Sequence, residues 1–425
     1  MSEKPSPPEA SSIPIVKRLQ SVLGGTTVIV ALISGLLLEI PKLREAFENL
    51  FPAAKELPAI KWTLLGIVAV LGIVLWLKGR TESRLAPGAN LRLDRDNPNH
   101  LVGRVEEVEA LAAACHDHPQ VHLVGEAGAG KSALVRAGLI PKLKADGKLL
   151  PMYVNGYGED WIHGPRCALA EALWDAMTEG QRNQLGLTGR SDIDRLKEHL
   201  DNFSTRIDRR PLLIFDQLDD YQLRHAAIFL TGKKNVWLTP GELTKRNAFW
   251  HMVKQALVSD KVRVLFVTAD KMGEGLAAMC FTSEPLVRRL PRLPSQAARD
   301  VLSLLTTSAA GAPPLVLEPE KGWDDLCERL AHDLEEDGAI LPARIKVALL
   351  GLPRLRALTI KSYERYGGLS ALEAGHVEFH IREAARASAG LISPDQVRQA
   401  LLQLVDRDEL KTIGKPLNVI RQGVT

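Results

Sequence analysis

Val121-His-Leu-Val124 leads into Gly125-Glu-Ala-Gly-Ala-Gly130-Lys131-Ser132, and that into Ala133-Leu-Val-Arg-Ala-Gly-Leu-Ile-Pro-Lys-Leu-Lys144. A short apolar run, a loop of the form G-x-x-x-x-G-K-S and a helical pattern read as strand, phosphate-binding loop and helix. The spacing follows from the chemistry. Glycines let the backbone wrap a phosphate with its N–H groups, and the start of the next helix adds a partial positive charge. Lys131 reaches the β- and γ-phosphates, and Ser132 offers its hydroxyl to Mg²⁺. Gly125, Glu126, Ala127, Gly128, Ala129, Gly130, Lys131 and Ser132 are therefore the candidate site for ATP or ADP with Mg²⁺.

A loop of this kind needs a second strand ending in a carboxylate, and Pro211-Leu-Leu-Ile-Phe-Asp216-Gln217-Leu-Asp219-Asp220 supplies one. The apolar run reads as a buried parallel strand, with Asp216 at its C-terminal edge beside Ser132 as the second group for Mg²⁺. Asp219 and Asp220 are candidates to polarise an attacking water, unless they only cap the following helix. A further buried strand, Val262 to Val267, ends in Thr268-Ala-Asp270, where a γ-phosphate sensor is expected. The pattern predicts an α/β fold: a P-loop domain with a parallel sheet over 98–290.

Before that domain stand two uncharged runs, SVLGGTTVIVALISGLLL at 21–38 and WTLLGIVAVLGIVLWL at 62–77. A hydrocarbon core of about 30 Å needs roughly 17 to 25 helical residues. The second run reaches that length from Ile60 if Lys61 snorkels, so the expectation is a transmembrane hairpin over 21–77 with spans at 21–38 and 60–77. Lys4, Lys17, Arg18, Lys78, Arg80, Arg84, Arg92 and Arg95 flank it, against Lys42, Arg44, Lys55 and Lys61 between the spans. This asymmetry predicts cytoplasmic termini and a multi-pass protein of the inner membrane, its lipid partner the bilayer itself. Residues 1–20 read as a disordered cytoplasmic tail, most strongly the Pro- and Ser-rich 1–14, and 78–97 as a polar linker.

The composition is that of folded protein: 425 residues, 45% hydrophobic and 25% charged, which excludes a disordered chain. Four scattered cysteines offer neither a disulfide framework nor a zinc ribbon. Of the 54 Lys+Arg and 51 Asp+Glu, residues 98–425 hold 42 of each, and a neutral soluble part speaks against a nucleic-acid partner.

These motifs together resemble the STAND-class P-loop NTPases, in particular the novel STAND NTPase group, over roughly residues 98–410. The opening motif Leu101-Val-Gly103-Arg104, the run GKSALVRAGLIPKL and Asp216-Gln217-Leu-Asp219-Asp220 are similar to the family's forms. So are Leu290-Pro-Arg-Leu-Pro294, Leu341-Pro342 and the stretch Leu358 to Leu372. The resemblance implies that Gly103 and Arg104 cover the adenine side of the nucleotide and that Pro342 contributes from a helical module, placed at 291–390. It also implies a signal-transducing switch in which ATP drives homo-oligomerisation, with a role in bacterial antiviral defence. Where the family has arginine this chain has Thr268, which points to slow ATP hydrolysis. Members commonly continue into a repeat array that senses the signal, which leaves two expectations for this chain: a separate sensor protein as partner, or an incomplete member of the family.

Residues 391–425 outline a winged-helix-like module, a capped helix from Ser393 and a hairpin, expected to close over the nucleotide. Two other functions compete with the switch: a catalytically weak nucleotide-binding membrane scaffold, and an AAA+-like DNA-handling ATPase.

Overall fold

The computed structural model describes residues 82–412, apart from 87–90, 92, 191, 232–235, 271–272, 308–313, 318–321, 389–390 and 407–410. The expected tail and both expected spans lie outside the described residues. Among the described residues no helix is long and apolar enough to cross a membrane.

The unit that begins at Ser83 is built on five short strands. They are β1 (Gln120–Gly125), β2 (Leu149–Val154), β3 (Arg210–Phe215), β4 (Arg263–Ala269) and β5 (Leu286–Leu290), all parallel in the order β2-β3-β4-β1-β5. The expected parallel sheet is therefore present. β4 lies between the loop-bearing β1 and the Asp216-bearing β3, so the two motifs meet across one intervening strand.

Alternation along the strands divides the core. Leu212 and Ile214 of β3, with Leu265 and Val267 of β4, pack with α1 (Val105–Asp117) and the loop helix α2. The α2 run is α-helical over Lys131–Ala133, π over Leu134–Leu139 and α again over Ile140–Asp146. Pro141 has no N–H to donate back into the preceding turn, so a shifted register is local to the residue that cannot sustain the normal one. Leu213, Phe215, Val264 and Phe266 face the other way, onto α3 (His163–Ala176), α4 (Leu196–Arg206) and, beyond α5 (Leu218–Arg224), α6 (Ala248–Val258). Trp250 and Phe249 of α6 meet Phe215 at centroid distances of 5.1 and 6.0 Å.

His122 of β1 belongs to this second face and is fully buried, edge-on to Phe266. Gln120 Oε1 accepts from the Phe281 and Thr282 N–H groups, which turns its amide nitrogen toward Met279 O and His122 Nε2. His122 Nε2 must therefore accept, and burial lowers its pKa to about 4. The unfolded chain takes up this proton first, near pH 6.5, so stability falls as pH drops from 6.5 toward 4. We expect the full-length protein to lose about 3 kcal/mol through this group over that window. Chemical denaturation as a function of pH should show a shallower slope in His122→Leu; equal slopes would remove His122 as the cause.

After β5 come α7 (Ser295–Ser303), α8 (Trp323–Leu334), α9 (Pro342–Gly351), α10 (Ile360–Tyr366) and α11 (Gly368–Ala387), which share a core around Trp323, Leu349 and Tyr363. A small antiparallel sheet, with Ala339–Ile340 between Leu293–Pro294 and Glu335–Glu336, ties the strand before α7 to the turn between α8 and α9. These helices fall within 291–390, and one reading of the sequence needs correction. The segment read as a linker is packed against them at Ser83 to Leu85 and at Leu91: Arg84–Leu85 pairs with Val316–Leu317, Ser83 O accepts from Leu358 N–H, and Leu91 is buried in the same core. Isolated leucines among turn residues carry no periodicity, so their burial was invisible until the module supplied a surface. The last described part is α12 (Pro394–Gln403) and the antiparallel strand pair Val405–Asp406 with Lys411–Thr412.

Candidate functional site

The loop between β1 and α2 turns through left-handed backbone at Gly128 (φ +86°) and Gly130 (φ +93°), which L side chains rarely adopt. Gly130 caps the helix that Lys131 opens, and the first N–H groups of a helix have no partner within it. The Lys131 ammonium folds over the loop, donating to Gly125 O (2.8 Å) and Glu126 O (3.0 Å). Burial lowers its pKa, while Asp219, Asp270, Asp216 and Glu126 pull it back up, in that order. Lys131 thus faces several carboxylates in the wall of a cavity of about 460 Å³.

The cavity brings together nearly all of the site residues read from the sequence: Gly128, Ala129, Gly130, Lys131, Ser132, Arg104, Asp216, Asp219, Asp220 and Pro342 all line it, with Ala127. Gly125 ends β1 behind the loop, and Glu126 turns outward to Arg292. Asp216 is buried to 1% exposure; its Oδ1 accepts from Gln217 N–H at 2.9 Å. Gln217 caps α5 with φ +55°, a conformation costly to a side-chain-bearing residue and typical of functional turns. Asp219 and Asp220 sit in the first turn of α5, and burial raises the pKa of Asp219. Oxygen ligands from Ser132 and Asp216 beside a glycine cradle are the donor set a hard cation such as Mg²⁺ takes together with phosphates.

The other wall belongs to the helical module. Ala343 N–H donates to Gly128 O (3.2 Å), and a Cβ on Gly128 would stand 2.7 Å from that of Ala343. Pro342 lies 3.9 Å from the place a Gly130 Cβ would take, so the start of α9 rests on the loop. Gly103 (φ +69°) likewise lets the chain pass Ala297 of α7, whose Cβ would be 2.7 Å from a side chain there. Arg104 lines the cavity with little of it exposed, but its guanidinium is engaged by protein: Nη1 with Glu107 (2.7 Å), Nη2 with Ala129 O (3.3 Å) and Pro291 O (2.7 Å). The cavity's apolar end is formed by Leu93, Leu101, Val102, Leu293, Val301 and Ile345.

Two expectations need correction. Thr268 is buried on the face of Val264 and Phe266, whereas Val267 and Ala269 are the β4 residues that line the cavity. Its hydroxyl is thus on the wrong side of the sheet for a phosphate. The module that closes on the loop is the helical one, through α9; no described residue of 391–412 lines the cavity.

Sequence reading also missed an ion-pair chain. Arg292 bridges Glu126 (2.7 Å) and Glu336 (2.8 Å), Arg344 meets Glu336 in turn, and its Nε reaches Glu373 at 3.0 Å. Its members are spread over nearly 250 positions and carry no common motif. Only Glu126, in the phosphate-binding loop, and the arginine in Leu290-Pro-Arg292-Leu-Pro294 stood within runs the sequence had singled out.

The family described as Novel STAND NTPase 1 matches residues 92–413 of this chain. No curated protein matches. Among solved structures, the chain is similar to the Aeropyrum pernix ORC1 protein in complex with DNA, at 17% identity and a TM-score of 0.41 over 76% of this chain and 77% of that one. It is also similar to the Walker-type ATPase PABY2304 of Pyrococcus abyssi, at 15% identity and a TM-score of 0.39 over 77% and 90%.

Proposed function

The chain belongs to the novel STAND NTPase 1 family, a family of nucleotide-binding P-loop NTPases, and from that premise we propose that it is a membrane-anchored switch in which the bound nucleotide sets how the helical module sits on the loop. The observation that carries the reading is the direct contact of α9 with the phosphate-binding loop, Ala343 N–H to Gly128 O. A ligand shifts a conformational equilibrium only through different contacts in the two states. A phosphate held by the loop must alter the backbone on which α9 rests.

In this reading Gly125 to Ser132 hold the phosphates of ATP or ADP, and Ser132 and Asp216 hold Mg²⁺. Bound there, Mg²⁺ would neutralise phosphate charge. Asp219, half-buried in the cavity wall, is better placed to orient water than the exposed Asp220. The apolar end of the cavity takes the base. ATP favours self-association, the effector is the hairpin at 21–77 in the cytoplasmic membrane, and the signal comes from a separate sensor; antiviral defence is the setting that the family likeness favours. Sedimentation of the detergent-solubilised protein with ADP, ATP and a non-hydrolysable analogue tests it. Equal assembly in all three would leave the alternative, a nucleotide-binding scaffold. That alternative is favoured by the absence of Thr268 from the cavity lining, and turnover is accordingly expected to be slow.

The ion-pair chain should tune this contact rather than create it, because its members are partly exposed and screened. Arg292→Gln is expected to speed release of bound nucleotide about threefold at low salt, with the difference fading toward 1 M salt. Stopped-flow release of a fluorescent ADP measures it; a salt-independent change would contradict the electrostatic account.

A further inference from the structure

We propose that Tyr153 is a positioning residue for Asp216, fixing the carboxylate that serves the metal–nucleotide complex; this rests on the nucleotide reading above. Tyr153 stands near the end of β2, in register with Ile214 of the neighbouring β3. Its side chain points to the α2 face of the sheet, as Leu212 and Ile214 do, and by the same alternation Asp216 does. There its hydroxyl donates to Asp216 Oδ2 at 2.5 Å. With Gln217 N–H on Oδ1, each carboxylate oxygen has one protein donor. Tyr157, from the loop after β2, holds the main chain of the same residue, donating to Asp216 O at 2.7 Å.

The ring of Tyr153 is itself held. Arg136, in the π turn of α2, lies over it at 5.4 Å and is paired with Asp96 at 2.5 Å. Tyr153 is not among the residues that line the cavity, whereas Asp216 is, so its effect on a bound metal–nucleotide complex would pass through Asp216. A carboxylate with both oxygens tethered has a single orientation, and the lone pairs left over are directed into the site. Outer hydrogen bonds of this kind, when removed, weaken metal binding by about 10- to 100-fold.

The test compares the full-length protein with Tyr153→Phe, which keeps the ring and the Arg136 contact and deletes one hydroxyl. ATP affinity is measured by calorimetry over a Mg²⁺ titration and in excess EDTA. We expect equal ATP affinity in EDTA, which also reports intact folding, and about a tenfold higher Mg²⁺ concentration for half of the metal-dependent gain. In an Asp216→Asn background Tyr153→Phe should add nothing, because the residue it acts through has gone. An unchanged or lower Mg²⁺ requirement in Tyr153→Phe, or full additivity with Asp216→Asn, overturns the role of Tyr153 alone. A wild-type protein that binds no ATP overturns the nucleotide reading and this role with it.

Discussion

Lys131→Ala is expected to weaken ATP and ADP binding at least 100-fold, the largest single effect in the molecule. Two losses combine. The first is the ammonium itself, whose hydrogen bonds to charged phosphate oxygens contribute about 1.5 to 3 kcal/mol each. The second is the balance of the site: Asp216, Asp219, Asp270 and Glu126 all act on Lys131, and while Asp270 and Glu126 keep Arg289 and Arg292 as partners, Asp216 and Asp219 lose this cation as the polyphosphate arrives. A neutral substitution therefore replaces an attraction by a repulsion. Lys131→Arg should not restore full affinity, because the ammonium sits between two loop carbonyls at 2.8 and 3.0 Å, a place shaped for a point charge rather than a planar fork. Calorimetry on the full-length protein decides it, and an alanine variant binding within threefold of wild type would end the P-loop reading.

The parts of this site that could be read from the sequence are those in which function is local. Gly125 to Ser132 are contiguous, and a cradle with two left-handed glycines needs those residue types in that order. Asp216 was legible for a related reason, since an apolar strand ending in aspartate marks the edge where ligands collect. Thr268 shows the limit. A strand buried on both faces is apolar throughout, so it carries no alternation from which to tell which residues face α2. Val267 and Ala269 line the cavity and Thr268 does not, a matter of phase that only the packed sheet fixes. Tyr153 was hidden differently: its partner is 63 positions away on the neighbouring strand, and nothing in MYVN announces a hydrogen bond to Asp216. The contact of α9 with the loop was half visible. Leu341-Pro342 marked a helix start, but the small residue after it, Ala343, gained meaning only once its Cβ stood against Gly128.

Arg104 carries the second large effect, and here the resemblance and the geometry pull apart. The resemblance assigns Gly103-Arg104 to the cover of the adenine, whereas the guanidinium is spent on Glu107, Ala129 O and Pro291 O. Those three partners come from α1, from the phosphate-binding loop and from the connection into the helical module. Arg104 therefore acts as a brace that sets the loop against both walls of the cavity, and its effect on nucleotide should come through the loop. Arg104→Met retains the aliphatic stem and removes the fork. With the arginine side chain 4% exposed and Glu107 28% exposed, the variant leaves a half-buried carboxylate and two carbonyls without their donor. Loss of one partner of a buried pair costs about 3 to 5 kcal/mol; the partial exposure of Glu107 places the expected loss of stability at the lower end. Glu107→Gln should cost less, since an amide still accepts from Nη1. Arg104→Lys should fall between wild type and Arg104→Met, because an ammonium can still pair with Glu107 but cannot reach all three acceptors arranged around a planar fork. Denaturation of the full-length variants, read beside their ADP affinities, separates the two accounts. A brace predicts that Arg104→Met loses stability without nucleotide as well as with it, while a direct adenine contact predicts normal stability and a loss confined to binding.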